Sequence, residues 1–542
     1  MLREVTIAAS QKAVALLMAL TTVVGTTPAF ANSSSGHTAT PIKHLVIVFQ
    51  ENVSFDHYFA TYPHALNPAG EPEFHARPGT PTVNGLKGVL LSSNPNFLNS
   101  ANGAGATNPF RLDRSQAATA DQGHNYGPEQ AAAHAGLMDL FPVSVGNAGA
   151  PPNAPPQIVA TKGLVMGYYD GNTVTALWNY AQHFAMSDNS FDTVFGPSTP
   201  GLLNLVSGQT NGIVQILNGT GSETDGGNGT LTVIGDPDPI SDVCSAPTRN
   251  QVQMASKNIG DLLSEAGVSW GSFMGGFDLT ATNANGTTGC ARSSVSAYTG
   301  TVTDYIPHHA FFQYYASTLN AKHTRPGSLS EIGHDGPANH EYDVNDFFAA
   351  VKAGNFPAVS FLKALAYQDG HAGYSDPLDE QAFLVNLINF LQKSPEWNET
   401  AVVILYDDSD GWYDHQMSPI VNQSTSPADA LTGSGACGDG STALPGPLSN
   451  PHAQGRCGYG PRQPLLVVSP WAKENFVDNT VTDQTSVLRF IEDNWLGGTR
   501  IGDGSFDALA NSITQMFDFK HGREDNGRLW LDPVTGMIVK GH

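Results

Sequence analysis

Three continuous apolar runs, rich in β-branched residues and each ending on polar groups, constrain this chain most. His44-Leu-Val-Ile-Val-Phe49 runs into Gln50, Glu51 and Asn52. Ala401-Val-Val-Ile-Leu-Tyr406 runs into Asp407 and Asp408, and Pro464-Leu-Leu-Val-Val-Ser469 is the third. Apolar runs of this length without polar alternation suit strands covered on both faces. Helical stretches alternate with them. Asp379 to Lys393 sets Phe383, Leu384, Leu387, Ile388 and Leu391 on one stripe, and Thr485 to Trp495 carries Val487, Leu488, Phe490 and Ile491. The alternation predicts an α/β fold, with a mostly parallel central sheet, helices on both faces and long loop insertions. Ligands bind outside the C-terminal ends of such strands, where two of these runs place their acids.

The chain is 542 residues long and 40% hydrophobic, enough for one large core. Pro142 to Pro156, Asn218 to Gly229 and Ser424 to Arg456 are rich in small and turn-forming residues and read as surface insertions. None separates two complete domains, so residues 32–542 are expected to form one domain. Ahead of it, Arg3 and Lys12 precede an apolar run from Ala13 to Gly25, and Ala29-Phe30-Ala31 supplies a small-x-small cleavage pattern. Residues 1–31 therefore read as a secretory signal peptide, too short in its apolar part to span a bilayer. The mature protein is expected to be secreted or periplasmic, with no stable membrane insertion. Cys244, Cys290, Cys437 and Cys457 make an even number, which in an exported protein suggests two disulfides. Three pairings are open. Cys244–Cys290 and Cys437–Cys457 are preferred because each pair brackets a loop-like segment, and no Cys-x-x-Cys spacing supports zinc.

The net charge is −24, from 25 Lys and Arg against 49 Asp and Glu. That excludes a general nucleic-acid binder and electrostatic docking on anionic lipid. Protonation of the 18 His would cancel most of this charge, so the protein's field depends on pH.

Four groups of residues are suited to chemistry. Gln50 to Phe59 and Asp407 to His415 each follow a run that should be buried. Their carboxylate and amide oxygens are hard ligands for a divalent cation, and would repel one another without one. For either cluster alone the plainer reading is a solvated strand end. Ser198, in Phe195-Gly-Pro-Ser-Thr-Pro-Gly201, would stand near a helix N-terminus, where anions are stabilised and a hydroxyl can act as nucleophile; its plainer reading is an N-cap. His124, His308, His309 and His371 can bind phosphate oxygens, ligate metal or protonate a leaving alkoxide. A lone His is more often structural, but the adjacent pair His308–His309 is harder to explain that way. Gly267-Val-Ser269-Trp-Gly271 matches the serine-hydrolase elbow, yet it follows a helix and precedes an extended stretch, the reverse of what that motif needs.

Glu51-Asn-Val-Ser-Phe-Asp-His-Tyr-Phe59, Gly196-Pro-Ser-Thr-Pro-Gly201, His308-His309, Asp369-Gly-His371 and Tyr406 to His415 together resemble the bacterial phosphoesterase family of secreted acid phosphatases and phospholipases C. The likeness runs from about Ile42 to Asp518. It implies an alkaline-phosphatase-like core and one divalent metal ion held by Glu51, Asn52, Ser198, Asp407 and Asp408. Ser198 would also be the nucleophile, and His124, His308, His309 and His371 would face the phosphate. Many members have Arg where Val53 stands and Gly where Ala60 stands. The phospholipase branch usually has Thr at the position of Ser198 and Glu at that of Asp408, and often carries extra C-terminal β domains. The expectation is thus a secreted metal-dependent acid phosphatase hydrolysing phosphate monoesters through a phosphoserine intermediate. A phospholipase C-type phosphodiesterase acting on phosphatidylcholine-like head groups is the alternative.

Overall fold

The first apolar run forms β1 (His44–Gln50), in the middle of a nine-stranded sheet. Its partners in chain order are β2 (Ala185–Phe191), β3 (Trp270–Met274), β4 (Glu341–Asp343), β5 (Val359–Lys363), β6 (Thr400–Tyr406), β7 (Arg462–Val468) and β8 (Phe476–Asp478). The strand order is β4-β3-β5-β1-β6-β7-β2-β8, with Thr482–Asp483 also pairing β2. The computed structural model describes residues 38–539 apart from 152–153, 220, 439–452 and 523–526. The expected signal peptide lies outside the described residues.

β4, β3, β5, β1 and β6 run parallel, and every residue of β4, β3, β5 and β6 is buried, as expected of a sheet covered on both faces. β7, the third run, is antiparallel to β6, so the sheet is mixed on that side. Every residue of β5, β6 and β7 is buried. The helices that matter below are α1 (Phe55–Phe59), α2 (Tyr126–Ala133), α3 (Ser198–Ser207), α4 (Ile259–Glu265), α5 (Pro377–Leu391) and α6 (Thr485–Trp495). Asp376 caps α5 by accepting from Leu378 N and Asp379 N, and Pro377 takes the first turn, where its missing N–H costs nothing. α4 ends at Gly267, φ +67°, and β3 follows, so Ser269 lies on a helix-to-strand turn. Among the described residues no helix is long and apolar enough to cross a membrane.

Both preferred disulfides are present, Cys244–Cys290 and Cys437–Cys457. The insertions are less superficial than their composition suggests. Residues 223–225 pair within a five-stranded second sheet, and Arg456 is fully buried, donating to Gly208 O and Gly504 O.

Candidate active site

The β1–β6 register pairs Gln50 with Tyr406, so Glu51 and Asn52 leave the sheet beside Asp407 and Asp408. Three backbone N–H groups fix these acids. Asp407 Oδ1 accepts from Asn52 N (3.0 Å) and Asp408 N (2.8 Å), and Asp408 Oδ1 accepts from Asp410 N (2.7 Å). Asn52 and Asp410 hold φ of +61° and +52°, conformations that fold only where surroundings enforce them.

α3 brings the fifth residue. A Cβ on Gly201 would sit 2.0 Å from Asp407 O, so only glycine lets the helix approach the end of β6 this closely. The approach puts Ser198 Oγ 3.1 Å from both Glu51 Oε2 and Asp408 Oδ2. The N-cap is Pro197, and Ser198 stands in the first turn with its hydroxyl turned to the acids. The N-cap reading of Ser198 is therefore corrected: its side chain caps nothing.

His371 decides how Asn52 is turned. His371 Nδ1 lies 2.5 Å from Ala372 O, and a carbonyl only accepts, so Nδ1 carries the proton. Burial lowers the His371 pKa to about 4, so Nε2 is a bare acceptor. It faces one end of the Asn52 amide at 3.2 Å, which must be the NH₂. The carbonyl oxygen then points at Glu51 Oε2 (2.9 Å) and Asp407 Oδ1 (3.3 Å). These converging oxygens are hard donors, and the donor set of Glu51, Asn52, Ser198, Asp407 and Asp408 would suit a divalent cation.

The other imidazoles surround this shell. His309 Nδ1 lies 3.2 Å from Glu51 Oε1, and burial holds the ring neutral, its pKa well below the usual histidine range. His308 packs edge-on against it, 4.5 Å between ring centres. His124 Nδ1 lies 2.9 Å from Gln122 O and 3.1 Å from Asp410 Oδ1. Burial alone would lower its pKa, but Asp408 and Asp410 outweigh burial and hold His124 protonated. Its ring is 6.0 Å from that of His371. All nine sequence-predicted residues thus gather at one end of the sheet.

Sequence reasoning missed Lys363. It ends β5, which pairs with β1 in a register matching Val48 with Leu362, and its ammonium contacts Glu51 Oε1 and lies 3.7 Å from Asp407 Oδ2. Burial would strip its proton, but Glu51, Asp407 and Asp369 keep it charged. The available signal was a lone lysine closing the apolar strand Val359-Ser-Phe-Leu-Lys363. Asp410, which helps to hold His124 protonated, was also missed, although it lies inside a motif already singled out. A buried brace stands behind the site: Arg462 donates to Asp56 Oδ1 and Asp414 Oδ2, both at 3.1 Å, locking the segments after β1 and β6 together.

The phosphoesterase family profile matches residues 42–496, most of the chain. The chain belongs to the phosphoesterase family. It is 25% identical over 532 residues to phospholipase C A of Mycobacterium tuberculosis, covering 94% of this chain and 83% of that protein. It is 33% identical to the non-hemolytic phospholipase C of Pseudomonas aeruginosa over 150 residues, 26% of this chain and only 20% of that protein. Among solved structures, a protein in the alkaline phosphatase superfamily from Vibrio parahaemolyticus matches over 80% of each chain, with a TM-score of 0.29 and 12% identity. This phosphoesterase is a phosphoric ester hydrolase on an α/β scaffold.

Proposed function

We propose that this phosphoesterase is an exported, metal-dependent phosphodiesterase of the phospholipase C type, acting through Ser198. The observation that carries the nucleophile is Ser198 Oγ placed between Glu51 and Asp408 at the start of α3. The phospholipase C names of relatives that match along nearly the whole chain support the diester reading. The two disulfides support export, because such bonds persist in oxidising compartments.

A divalent cation held by Glu51, Asn52, Ser198, Asp407 and Asp408 would lower the pKa of the serine hydroxyl and neutralise phosphoryl charge. Ser198 Oγ attacks phosphorus in line with the leaving oxygen while its proton passes to Asp408 Oδ2. Asp408 Oδ2, 3.1 Å from Ser198 Oγ, is placed to accept that proton. The bond from phosphorus to the leaving oxygen breaks, and His124 Nε2–H protonates that oxygen. Water then attacks the phosphoserine, His124 takes its proton, and Asp408 returns one to Ser198. His308 and His309 line the phosphoryl group on the Glu51 side.

Ser198 and Asp408, standing where the phospholipase branch usually has Thr and Glu, favour a second reading: a phosphomonoesterase of the acid phosphatase branch. Assay of p-nitrophenyl phosphorylcholine against p-nitrophenyl phosphate, with elemental analysis of the purified protein, separates the two. Higher kcat/KM on the diester is expected. Preference for the monoester would establish the second reading, and full activity of Ser198→Ala on either substrate would remove the nucleophile.

A further inference from the structure

Glu129 lies one turn into α2, beyond His124, and touches neither the ligand shell nor His308 and His309. Its carboxylate nonetheless bridges the two loops that build the shell. Oε2 accepts from Gly196 N at 2.9 Å, two residues before Ser198. Oε1 accepts from Ser409 Oγ at 2.6 Å, the residue after Asp408. Ser409 Oγ in turn accepts from Gly411 N at 3.0 Å, so the bridge extends along the acidic loop. Gly196 holds φ +125°, a backbone state other residues rarely adopt.

We propose that Glu129 is a positioning residue, a carboxylate clamp that sets the separation of Ser198 from Asp408. The clamp rests on the reading of Ser198 as nucleophile. Three features carry it. Glu129 is 3% exposed, and Ala133, Phe141, Val145 and Phe195 line an apolar pocket beside it, so water is poorly placed to replace either bond. The two loops come from strands far apart in sequence, after β2 and after β6, and Glu129 ties their backbone and side chains together beside the contact that α3 makes with the end of β6. α2 also follows directly on His124, so one helix aims the proton donor and braces the nucleophile against the acids.

The test compares Glu129→Leu with Glu129→Gln, because glutamine keeps an acceptor for one loop and a polar contact for the other. Glu129→Leu is expected to lower kcat on p-nitrophenyl phosphorylcholine by ~30–100-fold and weaken Mn²⁺ binding, read by calorimetry, by ~10-fold, the range for partners that orient a ligand shell. KM should change less than about threefold, because a clamp acts on the reacting geometry rather than on substrate binding. Glu129→Gln should recover most of the kcat. If Glu129→Leu does not fold, Ser409→Ala carries the test, with a ~10-fold kcat loss expected from release of one loop. The clamp is overturned if a folded Glu129→Leu keeps parental kcat and Mn²⁺ affinity. It is also overturned if Glu129→Gln is as impaired as leucine, or if Ser409→Ala keeps its kcat. Ser198→Ala, run in parallel, reports separately on the nucleophile: turnover there removes that reading, while the Mn²⁺ isotherms still judge the clamp.

Discussion

Ser198 Oγ lies 3.1 Å from Glu51 Oε2, although 147 residues separate the two. Glu51 is placed by the end of β1 and Ser198 by the first turn of α3. Their meeting depends on how closely α3 packs against the end of β6.

That packing gives the first prediction. Gly201→Ala places a methyl group 2.0 Å from Asp407 O, far inside van der Waals contact, so α3 must retreat. Overpacking of this kind costs roughly 1–3 kcal/mol. The retreat also withdraws Ser198 from the acids, so kcat should fall more steeply than stability. Thermal melts alongside turnover check this; a variant with parental kcat would show that the helix approach is not critical.

Lys363 gives the second. Its fixed positive charge lies against Glu51 and near Asp407, where it competes with any cation. Lys363→Met should lower the melting temperature in EDTA, because Glu51 loses its buried partner. The same change should tighten Mn²⁺ binding by ~10-fold, about 1.4 kcal/mol of relieved repulsion. Melts with and without Mn²⁺, and calorimetry, read the two effects. Weaker Mn²⁺ binding would show that Lys363 chiefly holds Glu51 in place.

Glu341, fully buried on β4, gives the third. Burial raises its pKa from 4.5 to about 8. The folded state therefore keeps a proton that the unfolded state has released between those values. Stability from this group is complete below pH 4.5, declines across the window and is lost above pH 8, by on the order of 5 kcal/mol. Denaturant titrations at pH 5 and 8.5 should show a smaller loss for Glu341→Gln than for the parent. An equal loss would mean that Glu341 is charged in the fold.

The sequence by itself determined the β-branched cores of β1, β6 and β7, the boundaries of α6, the helix-to-strand order around Ser269 and the acids that follow the strands. These are local properties, set by apolar periodicity and by residues that end it. Tertiary structure decided the rest. Lys363 carries only a faint local signature, its place at the end of an apolar strand, and Glu129 none, since a lone lysine or glutamate reads as a solvated charge until the sheet register or a helix crossing buries it against a partner. The turn of the Asn52 amide likewise depends on His371, 319 positions along the chain, whose own proton is fixed by a neighbouring carbonyl. Long-range packing chooses such partners because a buried polar atom must find its complement wherever the fold brings one.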